Sequence, residues 1–180
     1  LLKNALQIYN PACFAVVGCT TGNGLEHVNN QITETVYAID INPKYLEVLG
    51  ARFSRAIPDL RLVCESIESI SLIDVNADLV WCALVLEYVN PEKALKTMLS
   101  MLSAKGKLAL IVQRSNGSSF VTKTKYHSLE CLSPIATEVD EASLVKICQQ
   151  QGYAVTESRV IQINPVKSFV YLVFEDAKIR

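Results

Sequence analysis

Short runs of consecutive apolar residues alternate along this chain with segments whose apolar positions recur every three or four residues. Runs that are apolar at almost every position are typical of strands buried on both faces of a sheet. The longest of them has eight residues and is apolar enough for a central strand. The pattern predicts strands at 13–17, 36–39, 60–63, 79–86, 108–112, 153–163 and 168–174.

Capping signals predict where helices begin between these strands. Asn42 and Asn90 are each followed by proline, which is the order expected of an N-cap and the first helical position. Asp140 is a further candidate N-cap. Apolar residues follow each of these three positions at helical spacing. The predicted helices cover 25–32, begin at 43, run from 91 to a stop at Lys105-Gly106, and run from 141 to Gly152.

The order of these elements predicts an α/β fold. Parallel neighbouring strands need crossover connections, so alternating strands and helices indicate a doubly wound, mainly parallel sheet with helices on both faces, a three-layer α/β/α arrangement. Asn164-Pro165 leaves no room for a helix between the last two strands, which should form an antiparallel hairpin. Neither a repeat nor a linker divides the chain, so we predict a single domain over 1–180. The chain begins with Leu1, which leaves open whether a preceding segment is missing.

Composition excludes several classes of partner. The 17 basic and 18 acidic side chains give a net charge of −1, so no overall attraction to nucleic acid or to an anionic membrane is expected. An apolar run of eight residues is far shorter than the roughly 20 needed to span a bilayer. The first ten residues lack the features of a signal peptide. We therefore expect a small-molecule substrate, with no nucleic-acid or membrane partner; the oligomeric state is not predicted.

The six cysteines contain no C-x-x-C spacing, so no metal site is predicted. Cys13, Cys64, Cys82 and Cys148 lie in or beside apolar stretches, where unpaired cysteine behaves as a small buried apolar residue in a reducing compartment. The sequence therefore predicts a cytoplasmic protein.

A glycine-rich loop follows the first strand, with the sequence GCTTGNG at 18–24. Asp40 ends the second strand 22 residues after Gly18, where an acid can hold the two hydroxyls of a ribose. Together they predict an adenosine-containing ligand. Two other readings remain: a tight turn with Asp40 capping the next helix, and a nicotinamide-dependent oxidoreductase, although G-x-x-x-G-x-G is not the dinucleotide spacing G-x-G-x-x-G.

The sequence from about 12 to 175 resembles the class I S-adenosylmethionine-dependent methyltransferases. The resemblance is carried by VVGCTTGNG, YAIDINPKYLEVLGARF, LRLVCESIESI, ADLVWCALVLEYV and MLSAKGKLALIVQ. It implies a Rossmann-like fold with a seven-stranded sheet whose last strand is antiparallel, and S-adenosyl-L-methionine as cofactor. It assigns Gly18, Cys19, Thr20 and Gly22 to the methionine end, Asp40 to the ribose, Ile41, Glu65 and Ser66 to the adenine, and Leu84 through Glu87 to the pocket floor.

Two positions depart from the family pattern. Val16 stands where the family has an acid that helps to hold the cofactor's amino end, and Thr20 stands where the family has its middle glycine. Both departures point to weakened cofactor binding. They support an alternative function, a non-catalytic or regulatory domain with a degenerate cofactor site.

The predicted function is methyl transfer to a small-molecule acceptor. Residues 114–136 have no clear period and, at 23 residues, exceed the ~12 to 15 beyond which loops are usually functional or disordered, so we expect the acceptor site there. The substrate-binding candidates are Glu87, Tyr88, Tyr126 and His127. Methyl transfer from a sulfonium relies mainly on alignment and exclusion of water, so catalytic residues are unknown, with His127 and Tyr126 as candidates. His127 also suits an exposed loop position, and Glu87 and Tyr88 also suit the approach to the Asn90 cap.

Overall fold

The computed structural model describes residues 1–70, 75–115 and 135–179. The helices and strands, in chain order, are α1 (Leu2–Tyr9), β1 (Cys13–Val17), β2 (Thr35–Asp40), α2 (Pro43–Phe53), β3 (Asp59–Cys64), β4 (Ala77–Ala83), α3 (Pro91–Ser100), β5 (Leu102–Ser115), α4 (Glu141–Gln150), β6 (Tyr153–Asn164) and β7 (Lys167–Asp176). Short 3₁₀ turns occupy Leu25–His27, Leu86–Tyr88 and Ala177–Ile179.

The seven strands form one sheet in the order β3-β2-β1-β4-β5-β7-β6. β1 to β5 pair in parallel, and β7 pairs antiparallel with both β5 and β6. The sheet confirms the predicted fold class, including the terminal hairpin. The strand order reverses between β1 and β4, and Val17 at the end of β1 lies beside both Ile39 of β2 and Cys82 of β4. Ligands bind at such a switch point in open α/β sheets.

Each face of the sheet has its own apolar core. One core packs against α3 and α4 and includes Val80, Leu95, Met98 and Leu144. The other packs against α1 and α2 and includes Phe14, Leu49 and Trp81. Trp81 is a core residue as predicted, with its ring centroid 6.1 Å from that of Tyr171. The two cores make β1 and β4 buried central strands and hold their carboxyl ends in fixed positions.

The predicted helix at 25–32 was wrong. Only Leu25–His27 forms a 3₁₀ turn, and Asn29 redirects the chain after it. The Asn29 side chain accepts a hydrogen bond from the Gln31 amide at 3.0 Å, and its carbonyl accepts one from the Thr33 amide at 2.8 Å. Asparagine offers the backbone such local bonds in place of helical ones, which favours a turn.

Three further predictions needed correction. Gly106 lies within β5 and does not end α3, which stops at Ser100. Glycine is needed at this position because a Cβ there would collide with the carbonyl oxygen of Ala77 on the neighbouring strand. Cys64 is exposed, whereas Cys82 and Cys148 are buried and Cys13 is half-buried. β4 stops at Ala83, short of the predicted end at residue 86.

In the ranges described above, no helix combines the length and the apolar character that crossing a membrane requires.

Candidate active site

A cleft of about 680 Å³ opens at the carboxyl ends of β1, β2, β3 and β4. Its volume is within the range of about 300–1,000 Å³ that is usual for small-molecule sites. Nine of the residues predicted from sequence line it, namely Gly18, Thr20, Asp40, Ile41, Glu65, Ser66, Leu84, Val85 and Tyr88. Cys19 is buried beside it, Gly22 lies behind the loop against α2, and Glu87 is buried outside its lining. Tyr126 and His127 lie outside the described residues.

The glycines of the loop are required by its own packing. Gly18 has a φ of 68°, and a Cβ there would collide with a γ-methyl of Val85, two residues after the end of β4. Gly22 has a φ of 83°, and its Cβ would lie 2.7 Å from the Phe53 ring and 2.9 Å from Leu49. The loop therefore sits against α2 on one side and close to the end of β4 on the other.

Thr20 is held in a conformation that suits glycine. Its φ is 47°, in the left-handed region that costs about 1–2 kcal/mol for an L-residue with a Cβ. Its amide donates a hydrogen bond of 2.9 Å to Oδ2 of Asp40. The backbone here thus follows a path that glycine could take without strain, although threonine occupies the position.

Asp40 connects the loop to the start of α2. It is 9% exposed, and its Oδ1 accepts a hydrogen bond of 2.9 Å from the Asn42 amide. The N-cap of α2 is Asn42, whose side chain accepts from the Lys44 amide at 3.0 Å. The alternative reading of Asp40 as a helix cap is therefore wrong. Each carboxylate oxygen has a second acceptor site and can still receive a hydroxyl from the cleft.

The amides of the loop are largely bonded within the protein. Gly18 and Cys19 both donate to the carbonyl of Ile39, at 2.9 and 3.2 Å, and Gly22 donates to the carbonyl of Cys19 at 2.9 Å. The 3₁₀ turn that follows is too short to supply the amides and dipole of a helix N-terminus. These amides are therefore not available to cradle a phosphate.

The cleft is acidic. Asp40, Glu65 and Glu68 line it, and its described lining contains neither lysine nor arginine. Glu68 also accepts a hydrogen bond of 2.9 Å from the Asn90 amide through Oε1. This charge pattern favours a cationic ligand over a polyanion. No cluster of three or more metal-ligating side chains occurs within the part of the chain that the structure describes.

The floor of the cleft is apolar. Val17, Ile39, Ala83 and Val85 contribute to it, together with Leu84, which has a φ of 58°. The Leu84 amide donates to the carbonyl of Ile111 at 2.8 Å, so the chain stays tied to β5 after β4 has ended. Strained conformations in residues with side chains are concentrated at ligand sites.

Several residues of the site were missed by the sequence analysis. Tyr45, Ile67, Glu68, Val89 and Ile135 also line the cleft. The position of Tyr45 in the first turn of α2, directly after the Asp40 strand end, was a usable signal. Nothing in the local pattern distinguished Glu68 or Ile135.

Val16 lies in the core and does not line the cleft. It is buried among the apolar residues on the α1 and α2 face of the sheet. Burial also raises the pKa of the neighbouring loop thiol, Cys19, to about 12, so that thiol stays protonated near neutral pH. Neither Val16 nor Cys19 therefore supplies the carboxylate that the family pattern would place near the amino end of the cofactor.

Residues 15–110 match the family model described as "Methyltransferase domain". The fold is similar to that of the N-methyltransferase NodS from Bradyrhizobium japonicum WM9, with a TM-score of 0.70 and 15% identity over 97% of this chain and 93% of that one. It is also similar to a S-adenosylmethionine-dependent methyltransferase from Clostridium acetobutylicum ATCC 824, with a TM-score of 0.71 and 13% identity over 96% and 87%.

A third similar structure is described by a different reaction. The [4+2]-cyclase SpnF has a TM-score of 0.70 and 13% identity, over 91% of this chain and 77% of that one. No curated protein matches the chain in sequence. At these identities the structural comparisons establish the fold.

Proposed function

This chain belongs to the methyltransferase domain family, whose model matches more than half of it, and on that premise we propose that it transfers a methyl group from S-adenosyl-L-methionine to a small-molecule acceptor. When bound, this cofactor supplies an electrophilic methyl group on a sulfonium. The single observation that carries the proposal is the acidic cleft at the strand-order switch, which Asp40 and the glycine loop line together.

The residues around the cleft fit the cofactor. Gly18 allows the loop to pass close to Val85 at the edge of the cleft, and Asp40 has acceptor sites for the ribose hydroxyls. The exposed side chain of Ile41 offers an apolar surface to the adenine, and Glu65 offers it a carboxylate. A sulfonium cation also suits a lining whose described charged groups are all carboxylates. These features support Gly18, Thr20, Asp40, Ile41, Glu65, Ser66 and Leu84 as cofactor contacts, with Cys19 and Gly22 shaping the loop.

The acceptor side is supported by Tyr88 and Ile135, which line the cleft beyond the end of β4. Neither side chain is charged, and the described lining offers no cation to a polyanion, which favours a small acceptor. Glu87 remains part of the proposed acceptor side because it is adjacent in sequence to Tyr88. Tyr126 and His127, and the acceptor site expected over 114–136, fall mainly outside the described residues and remain predictions.

The proposal includes a cytoplasmic location and a single domain over 1–180. The cysteines at 13, 19, 64, 82 and 148 are unpaired, which is typical of a reducing compartment.

A non-catalytic domain is the second candidate function. Val16 supplies no carboxylate to the cleft, and Thr20 is strained in a conformation that glycine would adopt without strain. Both observations favour weak cofactor binding. The nicotinamide-dependent alternative is disfavoured, because the loop amides are bonded internally and the described lining is acidic, whereas a dinucleotide carries an anionic pyrophosphate.

Calorimetry and a transfer assay distinguish these candidates. The wild-type protein should bind S-adenosylhomocysteine and should not bind NAD. It should also transfer a tritiated methyl group from S-adenosyl-L-methionine to a member of a panel of small amines, phenols and carboxylic acids. Binding without transfer to any acceptor would favour the non-catalytic domain. Binding of NAD without binding of S-adenosylhomocysteine would overturn the proposal.

A further inference from the structure

Glu87 holds two segments that flank residues 116–134. Its Oε1 accepts a hydrogen bond of 2.7 Å from the amide of Gln113, near the end of β5. Its backbone carbonyl accepts one of 2.8 Å from the amide of Thr137 and one of 3.2 Å from the Thr137 hydroxyl. One residue therefore joins the chain before this stretch to the chain after it.

The contact is buried and incompletely satisfied. Glu87 is 2% exposed and Gln113 is 5% exposed. Oε2 of Glu87 and Nε2 of Gln113 are also buried and have no hydrogen-bond partner. Unpaired buried polar atoms lower the stability of the folded state. A carboxyl group at such a position is better explained by a functional role than by stability alone.

Glu87 lies directly behind the acceptor side of the cleft. Val85, Tyr88 and Val89, on either side of it in the chain, line the cleft, and so does Ile135, two residues before Thr137. The bonds of Glu87 thus connect the wall formed by the 3₁₀ turn Leu86–Tyr88 to the wall that contains Ile135. A shift of this residue would change the distance between the two walls.

Among the residues that the structure describes, no cation lowers the pKa of Glu87 by compensating its charge. The ionisable groups that interact with it are the Cys82 thiol of β4 and the Tyr88 hydroxyl of its own turn. Burial raises the pKa of the Glu87 carboxyl, although the hydrogen bond from Gln113 opposes the rise. The bond to Gln113 requires only an acceptor oxygen, so a glutamine could replace it.

We propose that Glu87 is a positioning residue for the methyl acceptor, which fixes the wall at Tyr88 relative to the wall at Ile135 through its bonds to Gln113 and Thr137. It touches neither the cofactor nor the transferred methyl group. The inference rests on the proposed function, because it assigns the acceptor side of the same cleft.

Three variants test this role. Glu87→Ala removes the acceptor oxygen, Glu87→Gln retains it, and Glu138→Ala removes an exposed carboxylate from the neighbouring chain. Amide hydrogen exchange by NMR should be at least tenfold faster at Gln113 in Glu87→Ala, which loses that acceptor oxygen. It should be severalfold faster at Thr137, whose bond to the backbone carbonyl of residue 87 is retained but is no longer held in place by the bond to Gln113. The other two variants should match the wild type. If Glu87→Ala is too unstable to purify, Glu87→Leu removes the same oxygen while retaining side-chain volume.

Kinetics separate positioning from simple stability. With the best acceptor of the panel of small amines, phenols and carboxylic acids, Glu87→Ala should raise the acceptor KM at least tenfold and leave the affinity for S-adenosylhomocysteine within twofold of the wild type. Glu87→Gln should restore the KM. Unchanged exchange, faster exchange at Gln113 alone, or an unchanged KM would each overturn the positioning role. A wild type that binds no S-adenosylhomocysteine would overturn the proposed function, and this inference with it.

Discussion

Oδ2 of Asp40 accepts a hydrogen bond of 2.9 Å from the amide of Thr20. In the loop at 18–24, Thr20 is the one residue other than glycine that has a positive φ. Asp40, at the end of β2, therefore fixes the position of the loop that follows β1. The same carboxylate also bonds the Asn42 amide at the entrance to α2. A ligand that binds at Asp40 would contact a carboxylate whose position is fixed by hydrogen bonds from two backbone amides.

Replacing Thr20 by glycine should stabilise the protein. The change relieves left-handed strain of about 1–2 kcal/mol, offset by about 0.5–1 kcal/mol of added chain entropy in the unfolded state, so the free energy of unfolding should rise by roughly 0.5–1 kcal/mol. Urea denaturation measures it. Thr21→Gly, at a position without positive φ, is the matched control and should lower stability. Binding of S-adenosylhomocysteine should be unchanged or tighter in Thr20→Gly, and distinctly weaker binding would show that the threonine makes a useful contact.

Replacing Gly18 by alanine should have the opposite effect. The added Cβ would collide with Val85 and would occupy a left-handed conformation, so we expect a loss of about 1–2 kcal/mol or more and no measurable binding of S-adenosylhomocysteine. Thermal denaturation and calorimetry check both effects. The double variant Gly18→Ala with Val85→Ala should recover part of the stability by removing the collision. Full activity in the single variant would refute this account of the loop.

Glu65 should contribute an acceptor to the adenine end of the cleft. Glu65→Leu should weaken binding of S-adenosylhomocysteine by about 1 kcal/mol, roughly fivefold, the amount typical of one hydrogen bond at a partly solvated site. Glu65→Gln should retain most of the affinity, since it still offers an oxygen. Equal losses in calorimetry for the two variants would mean that charge, rather than hydrogen bonding, determines the contribution.

The carboxyl of Glu87 should make stability depend on pH. Burial raises its pKa in the folded state, so the folded protein binds this proton more tightly than the unfolded chain does. The resulting stabilisation is fully present below the ordinary glutamate pKa of about 4.3 and is lost as the pH rises through the raised value. Urea denaturation across this range should show a smaller decline in Glu87→Gln than in the wild type. Parallel profiles for the two proteins would assign the decline to other groups.

The sequence predicted the sheet well because strand formation here depends on local apolar runs. The parallel pairing of most strands and the terminal antiparallel hairpin followed from the alternation of elements. The caps at Asn42, Asn90 and Asp140 were confirmed by their hydrogen bonds to the amides of residues 44, 93 and 143. Helix α1 was missed because Leu1, at its N-cap, makes no side-chain cap, so no signal marked its start.

The errors arose where tertiary contacts override local pattern. β4 ends at Ala83 because the next residue, Leu84, adopts a φ of 58°, which an apolar sequence does not reveal. Glu87 was predicted to be part of the pocket floor and to bind substrate because it follows the fourth strand, yet it is buried outside the lining and bonds to Gln113 and Thr137. The cofactor side could be inferred because its residues follow strand ends in order. The acceptor side depends on contacts between distant segments.

Calorimetric titration of Asp40→Ala with S-adenosylhomocysteine tests the central claim most directly. The variant should bind at least roughly tenfold more weakly than the wild type, since a charge-assisted hydrogen bond contributes about 1.5–3 kcal/mol and the loop loses its anchor at Thr20. Glu47→Ala, on the exposed side of α2, should bind like the wild type. An Asp40→Ala protein that is folded and binds S-adenosylhomocysteine with wild-type affinity would contradict the assignment of this cleft as the cofactor site.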